Sequence, residues 1–167
     1  TPQQADELAL REKTVVMIDV LRSSTTITTA LANGARQVIP ATSVESAVKI
    51  SGNLFGDVFL LGGERNGKRI EGFTLGNSPL EYTAERVRGK SIIFSSSNGT
   101  QALAKGRHAR TLLVCGFLNV SAVAEALRRV GGDVTILCAG NEVQIALEDA
   151  VCAVMLMHRV AGWAADT

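Results

Sequence analysis

Histidine is nearly absent. Two occur in 167 residues, His108 and His158, so a Ser–His–Asp triad or an imidazole-built zinc centre is poorly supplied. Cysteine is almost as scarce: Cys115, Cys138 and Cys152 are odd in number and form no C-x-x-C pair. That pattern predicts free thiols in a reducing, cytoplasmic setting rather than a disulfide framework. None has the cysteine-phosphatase spacing, in which Arg follows six positions on; those places hold Ser121, Gln144 and His158. Aromatic residues make up 4%, too few for a platform that stacks single-stranded bases. The formal charge is +1 with acids and bases interspersed, so no nucleic-acid partner is expected. No apolar run approaches the ~20 residues that span a bilayer, and no leader pattern is visible, so no membrane partner is expected either.

What is present is a strict alternation. Hydrophobic residues are 46% and charged residues 20% of the chain, an ordinary globular composition. Runs of strand length lie at 14–20 (TVVMIDV), 36–41, 57–61 (DVFLL), 91–94, 111–115 and 133–138. Most are continuously apolar, as in strands buried on both faces. Helical patterns lie between them at 24–33, 44–51, 79–87, 99–105 and 121–130, and a last one covers 146–162. Gly34, Gly89 and Gly131 stand where helices should stop. Residues 1–167 therefore read as a single domain of the α/β class, three-layer α/β/α, with a mostly parallel β-sheet and helices on both faces.

In such a sheet, ligands bind beyond the carboxyl ends of the strands. The loops to inspect are Asp19–Thr25, Gly62–Pro79, Ser95–Thr100, Gly116–Asn119 and Ala139–Glu148. Gly62–Lys68 has the spacing G-x-x-x-x-G-K of a P-loop, but Arg69 stands where magnesium needs Ser or Thr. RIEGFTLGNSP then follows and cannot continue as a helix, so the segment reads as a long loop carrying Glu64, Arg65, Lys68 and Glu71. Asp19 is followed by Val20 and Leu21, so the D-x-D of haloacid-type phosphatases is missing, and no G-x-S-x-G elbow occurs. Asp19 ends the first strand, and Arg22 beside Ser24 opens a helix whose amino end favours an anion. SSSNGT (95–100) likewise runs from a strand into a helix, and Ser97, Asn98, Gly99 and Thr100 offer a compact set of donors. Glu148 and Asp149 begin the last helix; with Asp19, Glu64 and Glu71 they are carboxylates enough for magnesium. Capping and surface charge alone would explain several of these residues.

Five stretches, in order, carry a resemblance: IDVLRSSTTI, GGERNGKRIEGFTLGNSPLEY, SSSNGT, GFLNVSA and the CAG…LED ending. Over about residues 1–155 the chain resembles the 2-phosphosulfolactate phosphatases. The resemblance implies a magnesium-dependent phosphatase acting on phosphate esters of 2-hydroxy acids, which in methanogens serves coenzyme M synthesis. By motif it points to Asp19 and Arg22, Glu64 and Arg65, Glu71 and Asn77, Asn98 and Thr100, and Glu148 and Asp149. The chain departs from the pattern at Thr74, where G-F-D-x-G-N-S-P would have a carboxylate. The resemblance also implies a short strand before Thr1 and further chain after Thr167.

The expectation is a phosphoric monoester hydrolase. Asp19, Arg22, Glu64 and Arg65 are its catalytic candidates. Ser24, Ser97, Asn98, Gly99 and Thr100 bind phosphate, and Asp19, Glu71 and Asp149 hold Mg2+. The partner is a small phosphorylated 2-hydroxy acid, and self-association into a homo-oligomer stays open. Attack by metal-activated water or by an enzyme nucleophile, Asp19 or a hydroxyl of Ser95–Ser97, are both compatible with these residues. The alternative is a non-catalytic phospho-ligand binding domain on the same fold.

Overall fold

Branched apolar runs become strands where both of their faces are covered. The structure, a computed structural model, describes residues 1–2, 5–53, 58–141 and 144–164. A short α1 (Glu7–Leu10), capped by Asp6, leads into β1 (Thr14–Ile18), all five of whose residues are buried. β1 pairs in parallel with β6 (Thr111–Cys115) and with β7 (Val134–Cys138), so that Ile18 lies beside both Cys115 and Cys138. A second group has the order β2 (Gln37–Pro40), β5 (Ser91–Ser95), β3 (Phe59–Arg65), again parallel, with a short antiparallel β4 (Lys68–Arg69) outside β3. The α/β class, the parallel pairing and the helices on both faces agree with the sequence pattern. The described strands nevertheless form two hydrogen-bonded groups.

Helices join these groups. α2 (Ser23–Ala32) and α5 (Gly99–Lys105) touch strands of both. One cluster unites Val15 and Met17 of β1, Ile27 and Ala30 of α2, Ile92 and Phe94 of β5, and Ala102 and Leu103 of α5. The other face of β1, Val16 and Ile18, packs on α6 (Val120–Val130) and α7 (Leu147–Ala164). α3 (Val44–Gly52) covers the second group from outside, where Ala47 meets Ile93, Ile70 and Phe73. α6 shows why: Val120, Val123, Ala124 and Leu127 fall on one stripe and are buried, while Glu125 pairs with Arg128 and Arg129 away from it. Among the described residues no helix is long and apolar enough to cross a membrane.

Two expectations are corrected. Residues 79–87 do not form one helix. Pro79–Glu81 is a single 3₁₀ turn, Tyr82 departs from helical geometry, and α4 (Ala84–Val87) starts afresh. Tyr82 is tied down from outside: its hydroxyl donates to the Gly76 carbonyl (2.7 Å) and its own carbonyl accepts from Asn33 Nδ2 (2.7 Å). Tertiary anchoring overrides helix propensity there. Nor is Gly62–Pro79 an unstructured loop. β3 runs on to Arg65, and Asn66 and Gly67, with φ of 52° and 76°, turn the chain into β4; two residues of positive φ make the tight turn of a hairpin. Ile70, Phe73 and Leu75 are then buried. Asp57 of the 57–61 run, and residues 142–143 of the loop before α7, lie outside the described residues.

Candidate active site

Parallel pairing brings the ends of β1 and β7 to one edge, and Asp19 is the first residue past β1. The turn into α2 closes reciprocally. Asp19 N–H donates to Ser24 Oγ (2.9 Å), and Ser24 N–H donates to the Asp19 carbonyl (2.8 Å). Ser24 is thus buried and its hydroxyl is taken up in closing this turn. The Asp19 side chain is only 6% exposed. Burial pushes its carboxyl up to about 6; hydrogen bonds from Ser23 pull it down, and the Asp149 and Glu64 charges add to the rise.

The cavity at this edge has a volume of about 390 Å³, and Asp19, Arg22, Glu64, Ser97, Asn98 and Asp149 all line it. These six residues, from four separate stretches of the chain, therefore meet around one space. The arrangement is held by carboxylates. Asp149 is 2% exposed and accepts from Val20 N–H (2.8 Å) and Gly140 N–H (3.0 Å), which ties the loops after β1 and β7 together. Burial raises its carboxyl and these two N–H groups lower it. Glu64 does the same for the other group of strands. Its Oε1 accepts from Ser97 N–H (2.7 Å), and its Oε2 from Gly67 N–H (2.7 Å) and Ser97 Oγ (3.2 Å). Part of the donor set expected in SSSNGT is consequently engaged by the protein's own carboxylate.

The remaining candidates divide. Arg22 and Asn98 line the cavity, and neither side chain caps its helix. Thr100 is buried: its hydroxyl accepts from Ser96 N–H (3.1 Å) and its N–H donates to Ser96 Oγ (3.0 Å), closing the turn before α5. Gly99 abuts the site, because a Cβ there would collide with Asp19 Oδ2 and the Ser23 hydroxyl. Arg65 is turned away from the cavity lining. Its guanidinium donates to the Glu64 carbonyl (2.8 Å) and to Ser95 Oγ (2.8 Å) and so braces β3 against β5. Glu71 is exposed and does not line the cavity. The three cysteines are free and none lines it; Cys115 and Cys152 are buried together in the core.

Other residues of the wall were not singled out by their chemistry in the sequence. Asn66 and Gly67, at the hairpin tip, line the cavity with Asn141, beside Glu148, which the sequence did single out as a carboxylate. The Asn-Gly dipeptide between β-compatible residues is the signal that marks this hairpin. Asn77 also lines the cavity, and only the motif resemblance pointed to it. Ser23, whose hydroxyl donates to Ser96 Oγ (3.0 Å), carried no signal beyond a helix start.

The wall thus holds one arginine and four carboxyl side chains, Asp19, Glu64, Glu148 and Asp149, with amides and a hydroxyl between them. The family model for 2-phosphosulpholactate phosphatase matches residues 1–166. A protein of Caldanaerobacter subterraneus subsp. tengcongensis described as a probable 2-phosphosulfolactate phosphatase is 51% identical over 86% of this chain and 60% of its own length. Proteins of the same description from Symbiobacterium thermophilum and Clostridium acetobutylicum are 47% and 41% identical, over 95% and 92% of this chain and 67% and 65% of theirs. The chain spans about three-fifths to two-thirds of the length of these relatives. With the motifs in order and the match running from residue 1 to residue 166, the chain belongs to the 2-phosphosulfolactate phosphatase family.

Proposed function

We propose that the chain carries a magnesium-dependent phosphatase activity on the phosphate ester of a small 2-hydroxy acid of the 2-phosphosulfolactate type. One observation supports this above the others: Asp19, Arg22, Asn98 and Asp149, distant in sequence, line one cavity at the carboxyl edge of the strands. A polyanion does not enter a space with four carboxyl groups and one arginine unless a cation accompanies it.

Magnesium takes one or two protein carboxylates and fills its shell with phosphate oxygens and water. The donor set fits that modest demand. Asp19 is buried at the wall, and the Glu148 carboxylate makes no hydrogen bond to a described residue, so these two would hold the ion. Among the described residues no group of three His, Cys, Asp or Glu is placed for ligation, so substrate oxygens would complete the shell. When bound, the ion supplies neutralisation of phosphoryl charge and a water of lowered pKa. Asp149 and Glu64 hold the loops in place. Arg22 would orient the phosphoryl group with its planar fork of donors, and Asn98 would donate from the opposite loop. Such fixed donors act most strongly where charge develops.

The test is phosphate release from a panel of phosphorylated 2-hydroxy acids, with magnesium and with chelator. Release that is absent in both conditions defeats the reading. The same negative result favours the second one, a phospho-ligand binding domain without catalysis. The engagement of Glu64 and Asp149 by backbone N–H groups is the observation on that side.

A further inference from the structure

The buried polar side chains of the cavity wall differ in whether the protein satisfies them. Glu64 and Asp149 have partners on both carboxylate oxygens. Asn77 is 6% exposed and lines the cavity, yet no described residue bonds either end of its carboxamide. Oδ1 is buried without a partner, whereas Nδ2 keeps accessible surface. Nδ2 is therefore the polar end open to the cavity. That orientation has a physical reason. A carboxamide carries two donors on nitrogen and an acceptor on oxygen. Turned over, it would bury two unpaired N–H groups in place of one unpaired oxygen, and buried orphans are costly. An apolar side chain of the same shape would leave no orphan at all, so what the amide contributes here lies at its open, donating end.

The backbone around Asn77 is clamped. Next to it, Gly76 donates its N–H to Glu81 (3.0 Å), and its carbonyl accepts from the Tyr82 hydroxyl (2.7 Å) and from Gly63 N–H (3.2 Å). The Asn77 carbonyl itself accepts from the Thr26 hydroxyl (3.1 Å). Thr26 in turn donates its N–H to the Arg22 carbonyl (2.9 Å). Asn77 and Arg22 are thus tied to one turn of α2 and line one cavity. The scaffold fixes the carboxamide without engaging its N–H groups, as a preorganised contact requires.

We propose that Asn77 Nδ2 donates a hydrogen bond to an oxygen of the ligand's phosphoryl group, alongside Arg22, and so is a further phosphate-binding residue of this site. The identity of that group rests on the phosphatase reading above. Phosphate, carboxylate and sulfonate oxygens are all acceptors, which an open N–H end complements and an oxygen would repel. The shared turn of α2 places the amide with Arg22, and that assigns it the phosphoryl oxygen rather than the acid groups at the far end of the ligand. A hydrogen bond to an ionised acceptor is shorter and stronger than one between neutral groups, so a single amide there has a measurable effect.

Calorimetric titration of the full chain with inorganic phosphate, magnesium present, tests this. Asn77→Ala is expected to weaken phosphate by about ten- to a hundredfold, the effect of losing a hydrogen bond to a charged group. Asn77→Asp keeps the size but replaces both donors with acceptors, and should weaken phosphate at least as much. In nitrogen-15-labelled wild type the Asn77 side-chain amide protons should move downfield as phosphate is added, a measurement that needs no variant to fold. A wild type that binds no phosphate, or whose Asn77 amide does not respond to it, overturns the proposal. So does an Asn77→Ala protein with unchanged melting temperature and unchanged phosphate affinity. Weakening of 3-sulfopropanoate with phosphate unaffected would assign the amide to the acid groups, and overturns it. An Asn77→Asp protein that binds magnesium more tightly and phosphate no less would assign the position to the cation, and overturns it too. Phosphate release from the substrate panel, measured on the same proteins, keeps the two readings apart. Weakened phosphate binding in Asn77→Ala with no release by the wild type sinks the phosphatase and leaves the donor; release by the wild type with phosphate affinity unchanged in Asn77→Ala does the reverse.

Discussion

Asp19→Asn should abolish magnesium-dependent phosphate release and at the same time make the protein more stable at neutral pH. The carboxyl is 6% exposed, and its burial, assisted by Asp149 and Glu64, moves it from 3.8 to about 6. The folded state therefore binds its proton more tightly than the unfolded chain. Between those two values the unfolded chain carries fewer protons at this site, so unfolding free energy falls as pH rises. Below pH ~4 the group costs nothing extra; above pH ~6 the full cost is present, at 1.36 kcal/mol per unit about 3 kcal/mol. Asparagine is nearly isosteric and keeps an acceptor for the Ser23 donors. The assay is thermal unfolding of both proteins from pH 3.5 to 8 in chelator, so that metal binding cannot add its own linkage. Titrations common to both proteins cancel in the difference. The variant should melt higher by roughly 6–12 °C at pH 7.5, given 2–4 °C per kcal/mol for a chain of this size, and the gap should close towards pH 4. A variant that is equally or less stable across pH 6–8, or a gap that does not depend on pH, refutes the reasoning.

Arg22→Ala and Asn98→Ala should each lower kcat/KM by about a hundred- to a thousandfold, with melting temperatures unchanged; normal kinetics in either would remove it from the phosphoryl site. Gly99→Ala should cut activity severely, because its Cβ would push on Asp19 Oδ2 and the Ser23 hydroxyl; circular dichroism and phosphate release on one sample separate displacement of the site from unfolding. Cys115→Ala and Cys138→Ala should keep activity while losing about 1 to 2 kcal/mol of stability, and a folded but inactive variant would show that a thiol takes part.

Local order was legible because its causes are local. Val and Ile runs between turn residues give β1, β5, β6 and β7, and the apolar stripe of α6 repeats at helical spacing whatever the fold around it. Gly34, Gly89 and Gly131 take the positive φ expected of helix stops. Asp19 at a strand end, and Arg22 and Asn98 just beyond strand ends, follow from the rule that parallel strands present their carboxyl ends together. What no window of sequence contains is a partner far away. Asp149 reaches Val20 across 129 positions, and Glu64 reaches Ser97 across 33. Those bonds decide that two acids act as clamps, and that Ser97 faces a carboxylate of its own chain. Arg65 looks functional by type, yet tertiary packing sets it against the Ser95 hydroxyl 30 positions on, while Thr100 is taken up by the local turn it closes with Ser96. The division of the strands into two groups belongs with these. A side chain's chemistry is written in its identity, but its role depends on which donors the folded topology delivers to it, and long-range hydrogen bonds leave no periodic trace in the order of residues.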